Sequence, residues 1–129
     1  MNPFSRYLSQ WSTDTRFDAF VEHWDVLERI VISVHREMMT PEAAAADYER
    51  AWGWLRGQYP LWHAALEPYW RQTRAAGAAT AVDPFQLLLD IGRPADILGN
   101  WRAMQHLPAA REAINRYLLD HSTPDEPAT

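Results

Sequence analysis

Residues 15–39, TRFDAFVEHWDVLERIVISVHREMM, contain the most regular hydrophobic pattern in the chain. The apolar side chains recur every three or four residues, which is the spacing of one face of an α-helix. They are Phe17, Phe20, Val21, Trp24, Leu27, Val31, Val34 and Met38. A polar set falls together on the other side of the same helix, namely Asp18, Glu22, Asp25, Arg29, Ser33 and Arg36. This pattern predicts a long amphipathic helix that forms the spine of an all-α fold.

The flanking residues set the expected ends of this helix. Residues 12–14, Ser-Thr-Asp, offer side-chain oxygens that cap helix starts, so we expect a short helical arm before them and the long helix from Thr15. After the helix, Thr40-Pro41-Glu42 combines a capping hydroxyl, a Pro at the first helical position and an acid in the first turn. A second helix is therefore predicted over residues 41–58.

Prolines divide the remainder of the chain, because Pro lacks an amide donor and disfavours helix in the residue before it. We predict a third helix from Pro60 to Gly77, kinked or split at Pro68, and a short apolar helix over 85–91 that Asp83-Pro84 opens. Further helices are expected from Pro94 and from Pro108. The prediction is an irregular bundle of five or six helices in one domain, residues 1–121, with a disordered polar tail, residues 122–129.

Composition excludes several classes of function. The 129 residues contain no Cys, which rules out disulfides, thiolate zinc sites and a cysteine nucleophile. The net charge is −5, and all basic residues are Arg, scattered among acids, which does not form the positive footprint of a nucleic-acid binder. The Arg-only usage and the many Ala are typical of a GC-rich bacterial genome. With no signal peptide and no apolar run long enough for a bilayer, we expect a cytoplasmic protein that binds neither membrane nor nucleic acid.

Catalytic and metal-binding patterns are also missing. No nucleophile elbow, phosphate-binding loop, dinucleotide-binding glycine pattern or His-Glu-x-x-His motif occurs, so we assign no catalytic residue, metal or cofactor. His63 and Glu67 stand four residues apart and could supply two metal ligands. They lie on the polar side of their helix, which favours a solvated contact between the two side chains instead.

The aromatic residues supply the remaining functional signal. Trp52, Trp62, Tyr69 and Trp101 fall on the predicted inner faces of their helices, and His35 lies within the apolar face of the first helix. These five residues could line an apolar ligand pocket between helices. The alternative is that the aromatics only fill the core and that His35 is a neutral histidine bonded to a neighbouring helix.

Trp54 fits neither interpretation, because it projects well away from the inner face of the second helix, beside Asp47 and Arg50. We predict that Trp54 marks a contact surface. The alternatives are that another helix of the same chain, such as the one around Phe85, covers it, or that it is a single exposed apolar residue. The leading functional hypothesis is therefore a protein–protein interaction or assembly domain that could form a homodimer. A binder of a small apolar ligand and an enzyme using His35 or His63 are the alternatives.

Overall fold

Four α-helices and one 3₁₀ turn build the part of the chain that the structure describes. The computed structural model describes the backbone of residues 3–72 and 82–121 and the side chains of residues 16–72 and 82–121. The elements are α1 (Pro3–His35), α2 (Pro41–Arg71), α3 (Pro84–Leu89), a 3₁₀ turn (Pro94–Ile97) and α4 (Trp101–His121). The all-α fold is confirmed, but the predicted count of five or six helices is wrong. The predicted tail, residues 122–129, lies outside the described residues.

Helix α1 is longer than predicted and ends in a well-defined cap. It is continuous from Pro3, so the expected start at Thr15 is wrong, because Ser and Thr inside a helix cost only a few tenths of a kcal/mol. At its end Glu37 adopts a left-handed φ of 58°. The Met38 amide donates to the Ser33 carbonyl at 2.8 Å and the Glu37 amide to that of Val34 at 3.0 Å, the bond pattern of a Schellman cap.

Helix α2 continues through both of its prolines. The predicted break at Tyr59-Pro60 does not occur, and the helix also runs through Pro68 to Arg71 without splitting. Both proline rings lie on the exposed side, where water can bond the carbonyls that lose their amide partners. Burial of the residues around them, including Tyr59, Leu66 and Trp70, stabilises the continuous helix. Its start is as predicted, with Thr40 Oγ1 accepting from the Ala43 amide at 3.1 Å.

Helix α4 likewise runs through its proline, Pro108, which is exposed. The helix break predicted at Pro108 is therefore wrong. The helix boundary in this part of the chain lies seven residues earlier, where α4 begins at Trp101. Gly99 has a φ of 71°, which terminates the preceding turn, and Asn100 Oδ1 accepts from the Ala103 amide at 3.0 Å. The helix expected from Pro94 is thus only a 3₁₀ turn.

A single hydrophobic core joins all of these elements, and aromatic rings make up much of it. Phe20 is fully buried and packs against Trp24, Tyr59, Trp62 and Phe85. These rings come from α1, α2 and α3, so the contacts tie together segments that are distant in sequence. Ring pairs in this geometry add about 0.5–1.5 kcal/mol each beyond the area that they bury.

Helix α2 also holds the short helix α3 through side-chain donors on one stripe. The Tyr48 hydroxyl donates to the Ile91 carbonyl at 2.5 Å, and Trp52 Nε1 donates to the Leu89 carbonyl at 2.8 Å. The Tyr59 hydroxyl donates to Asp83 Oδ2 at 2.5 Å, just before α3 begins. Six residues are too few for a helix to be stable alone, so these bonds at both ends of α3 and its buried apolar face fix it in place.

Candidate functional site

An open groove runs between α1 and α2 on the surface of the bundle. Its volume is about 450 Å³, and five of its seven lining residues are charged or polar. Val26 and Ala51 supply the apolar part, and the polar side chains are Glu22, His23, Arg29, Asp47 and Arg50. An open groove surrounded by charged side chains suits a charged protein surface better than a small apolar ligand, which binds in pockets that enclose most of its surface.

Trp54 borders this groove through a stacked pair with His23. The two rings lie 3.9 Å apart between centroids with an interplanar angle of 8°. His23 is held in place because its Nδ1–H donates to the Ala19 carbonyl at 2.7 Å. Trp54 is half-buried, and the His23 ring of α1 covers part of its indole. The pair leaves a pre-ordered aromatic edge beside the charged groove.

Two charges on the α1 side of the groove have no partner within the described ranges. Glu22 and Arg29 are both exposed, and neither forms an ion pair or a side-chain hydrogen bond there. On the α2 side, Arg50 and Asp47 pair with each other at 3.5 Å. The groove therefore presents unsatisfied charges of both signs on a rigid helix.

Two other acids of α1, Asp25 and Glu28, are already neutralised by an ion pair to α4. The Arg111 guanidinium of α4 donates to Glu28 Oε1, from Nη2 at 2.7 Å and from Nε at 3.0 Å, and it also bonds Asp25. Partial burial is the largest single effect and lowers the pKa of Arg111. The hydrogen bonds and charges of Asp25 and Glu28 together outweigh it, so the pKa is raised. This cluster faces α4, so it connects two helices and leaves Glu22 and Arg29 as the free charges of the groove.

The five residues predicted to line a ligand pocket do not come together at one place. Trp101 is 70% exposed, which corrects its predicted inner position. Since α4 buries Ala103 and Leu107, residue 101 falls on the opposite side of the helix. The Trp101 ring packs edge to face against the His35 ring at 4.9 Å. His35 Nδ1 is buried with no hydrogen-bond partner in the described structure, so the expected bond to a neighbouring helix does not form.

The other three residues of that set lie in two separate groups. Trp62 is half-buried and packs edge-on against Phe17 at 5.0 Å and against Tyr117 at 6.0 Å. Tyr69 also packs against Tyr117, and its hydroxyl donates to Asp120 at 2.9 Å. Trp52 lies elsewhere, bonded to the Leu89 carbonyl and covered by the Arg56 guanidinium at 4.9 Å. None of the five lines the α1–α2 groove or the cleft between α3 and α4.

One polar cluster was missed by sequence reasoning. No hydrogen bond or ion pair joins His63 to Glu67, which pairs with Arg71 at 2.8 Å. Instead the His63 Nδ1 donates to Asp83 Oδ2 at 3.3 Å. The same Asp83 oxygen accepts from Tyr59, and burial together with this bond raises the pKa of the Tyr59 hydroxyl above 10.0. Asp83 Oδ1 accepts from the amides that begin α3. The capping role of Asp83 is readable from Asp-Pro, but its approach to His63, twenty residues earlier, carries no local signal.

Comparisons with known proteins leave the chain without an assigned relative, since it has no significant match to any family model, curated protein or solved structure. Within the described ranges no three His, Asp or Glu side chains are grouped so as to hold a metal ion. No helix in those ranges has an apolar stretch sufficient to cross a bilayer. The α1–α2 groove with Trp54 is therefore the candidate site on which a function is best argued.

Proposed function

We propose that this protein is a protein–protein interaction domain that assembles with a second copy of itself through the α1–α2 face. The observation that carries the proposal is the groove in which Glu22 and Arg29 lack partners, beside the Trp54–His23 stack. Charges of both signs at one site suit self-association, because the same face can then supply the complement of each charge.

The Trp54–His23 stack supports an interface for a second reason. Trp is enriched among the few interface residues that dominate binding. A side chain already held by stacking loses less conformational freedom on binding than a free one, so more of its contact energy is retained. His23 is itself anchored on Ala19, which makes this edge of the groove rigid.

The main alternative is a binder of a small apolar ligand in a pocket lined by the aromatic residues of the bundle. The fold supports it less, because Trp62 and Tyr69 contribute to the aromatic core around Tyr117 while Trp101 projects into solvent. The groove beside Trp54 is open and charged, the opposite of an enclosed apolar cavity.

Sedimentation equilibrium of the wild type and of Trp54→Ala over a wide concentration range tests the proposal. We expect a wild-type dimer whose dissociation constant rises roughly tenfold or more in Trp54→Ala, as for a central interface Trp. Trp101→Ala is the matched control, since it removes an exposed Trp away from the groove. A wild type that stays monomeric at every concentration rejects the proposal. A dimer weakened by the Trp101 change but not by the Trp54 change moves the interface to that end of the bundle.

A further inference from the structure

Along one stripe of α1, continued just past its C-terminal end, the unpaired charges are separated by sign. On this stripe Glu22, Val26 and Arg29 line the groove, while Asp18 lies one turn before Glu22 and Arg36 lies just beyond the end of α1. All four charged side chains are exposed, and none of them has an ion-pair partner in the part of the chain that is described. One half of this stripe is thus acidic and the other half basic.

We infer that the second copy docks antiparallel, with α1 against α1 and a two-fold axis close to Val26. This inference rests on the proposed function and specifies its geometry. Glu22 and Arg29 are seven residues apart, about 10 Å along the helix, and Val26 lies near their midpoint. The rotation brings Glu22 opposite the partner's Arg29 and, by symmetry, Arg29 opposite the partner's Glu22.

The parallel arrangement is disfavoured by the same charges. It would place Glu22 against the partner's Glu22 and Arg29 against the partner's Arg29, and like charges at close range oppose association. The antiparallel arrangement makes two identical ion pairs instead. The separation of acidic and basic residues along this stripe therefore favours a second copy as the partner and an antiparallel orientation of the two α1 helices.

The antiparallel arrangement also accounts for the position of Trp54. Trp54 lies with His23 at the Glu22 end of the groove, and the Asp47–Arg50 pair lines the groove on α2. Because the two-fold rotation exchanges the ends of the face, Trp54 comes to the partner's Arg29 end, within reach of the partner's Arg50. A guanidinium over an indole ring is an attractive contact, and this chain already uses it between Arg56 and Trp52 at 4.9 Å.

Charge reversal at the two sites tests this geometry. Glu22→Arg would face the partner's Arg29, and Arg29→Glu would face the partner's Glu22, so each single variant should dissociate roughly tenfold or more readily than the wild type. The double variant Glu22→Arg/Arg29→Glu restores opposite charges and should recover wild-type dimerisation. Glu49→Arg is the matched control, because Glu49 is exposed on the side of α2 away from the groove and the change in charge is the same as in Glu22→Arg.

Mixing the two single variants gives the sharpest test. Each is weak alone, but a heterodimer of Glu22→Arg with Arg29→Glu has both contacts restored, so we expect it to form on mixing at equal concentration. Sedimentation and native mass spectrometry measure it, and thermal melts by circular dichroism check that each variant remains folded. Charge variants that dimerise like the wild type, or a mixture that stays monomeric, overturn the antiparallel geometry. Those results leave the self-association proposal standing if Trp54→Ala still weakens the dimer, whereas a monomeric wild type overturns both.

Discussion

The Tyr59 hydroxyl donates a 2.5 Å hydrogen bond to Asp83, and this contact joins the middle of α2 to the first residue before α3. Asp83 also caps α3 and accepts from His63. A single carboxylate thus satisfies a buried hydroxyl, a helix start and an imidazole. Replacing it removes several bonds at once, which makes this position a sensitive test of the fold.

We expect Asp83→Ala to lower the free energy of unfolding by about 2–4 kcal/mol. It removes an N-cap, worth about 1 kcal/mol, and leaves the buried Tyr59 hydroxyl without an acceptor, which costs a further 1–3 kcal/mol. Asp83→Asn keeps an acceptor oxygen for the cap and should lose less. Urea unfolding followed by circular dichroism measures both. Equal losses in the two variants would show that the charge, rather than the hydrogen bonds, is what matters.

Alkaline pH should destabilise the protein through its buried tyrosines. Desolvation raises the pKa of Tyr48 and of Tyr59 above 10.0, and the Asp83 hydrogen bond adds to the effect at Tyr59. The folded state thus favours the protonated hydroxyls. Their contribution to the free energy of unfolding is fully present below pH 10, the ordinary pKa of tyrosine, and is lost progressively as the pH rises above it. Stability measured against pH should fall less steeply above pH 10 in Tyr59→Phe than in the wild type.

Glu37→Gly should stabilise the protein. Glu37 holds a left-handed φ of 58° in the cap of α1, a conformation that costs a residue with a side chain about 1 kcal/mol and a glycine almost nothing. Since Glu37 is exposed, the change removes no packing. The expected gain is about 0.5–1 kcal/mol in urea unfolding. The matched substitution Arg36→Gly, at the preceding position, should not stabilise, and a gain there as large as at Glu37 would contradict the explanation.

Arg111→Ala should be more destabilising than a loss of an ordinary surface ion pair. Arg111 bonds both Asp25 and Glu28 and links α4 to α1, and its removal leaves two half-buried carboxylates facing each other without a cation. We expect a loss of about 1–3 kcal/mol. Arg116→Ala breaks only an exposed pair with Glu112 on the same helix, and its effect should stay below about 1 kcal/mol. Thermal melts compare the two.

Trp101→Ala should leave stability nearly unchanged, within about 0.5 kcal/mol, because 70% of the side chain is already in solvent. Trp24→Ala is the contrasting variant: that ring is fully buried, and its loss should cost about 3–5 kcal/mol. Calorimetry of both variants distinguishes the two environments. A large loss at Trp101 would mean that the residue is covered in solution.

Local sequence patterns were enough to predict the all-helical class, most of the buried face of α1 and the capped starts at Thr40 and Asp83. They did not predict the end of α1, because Met38 lies beyond the helix and is 75% exposed. The predicted features depend on the spacing of apolar residues and on hydrogen bonds between residues that are close in sequence.

Whether a proline ends a helix depends instead on tertiary packing. Pro60, Pro68 and Pro108 all lie inside continuous helices, because the burial of neighbouring residues outweighs one lost backbone hydrogen bond. The exposure of Trp101, the stacking of Trp54 on His23 and the contact of Asp83 with His63 also depend on tertiary packing. Contacts between residues twenty or more positions apart depend on how the helices pack, and no local pattern encodes that packing.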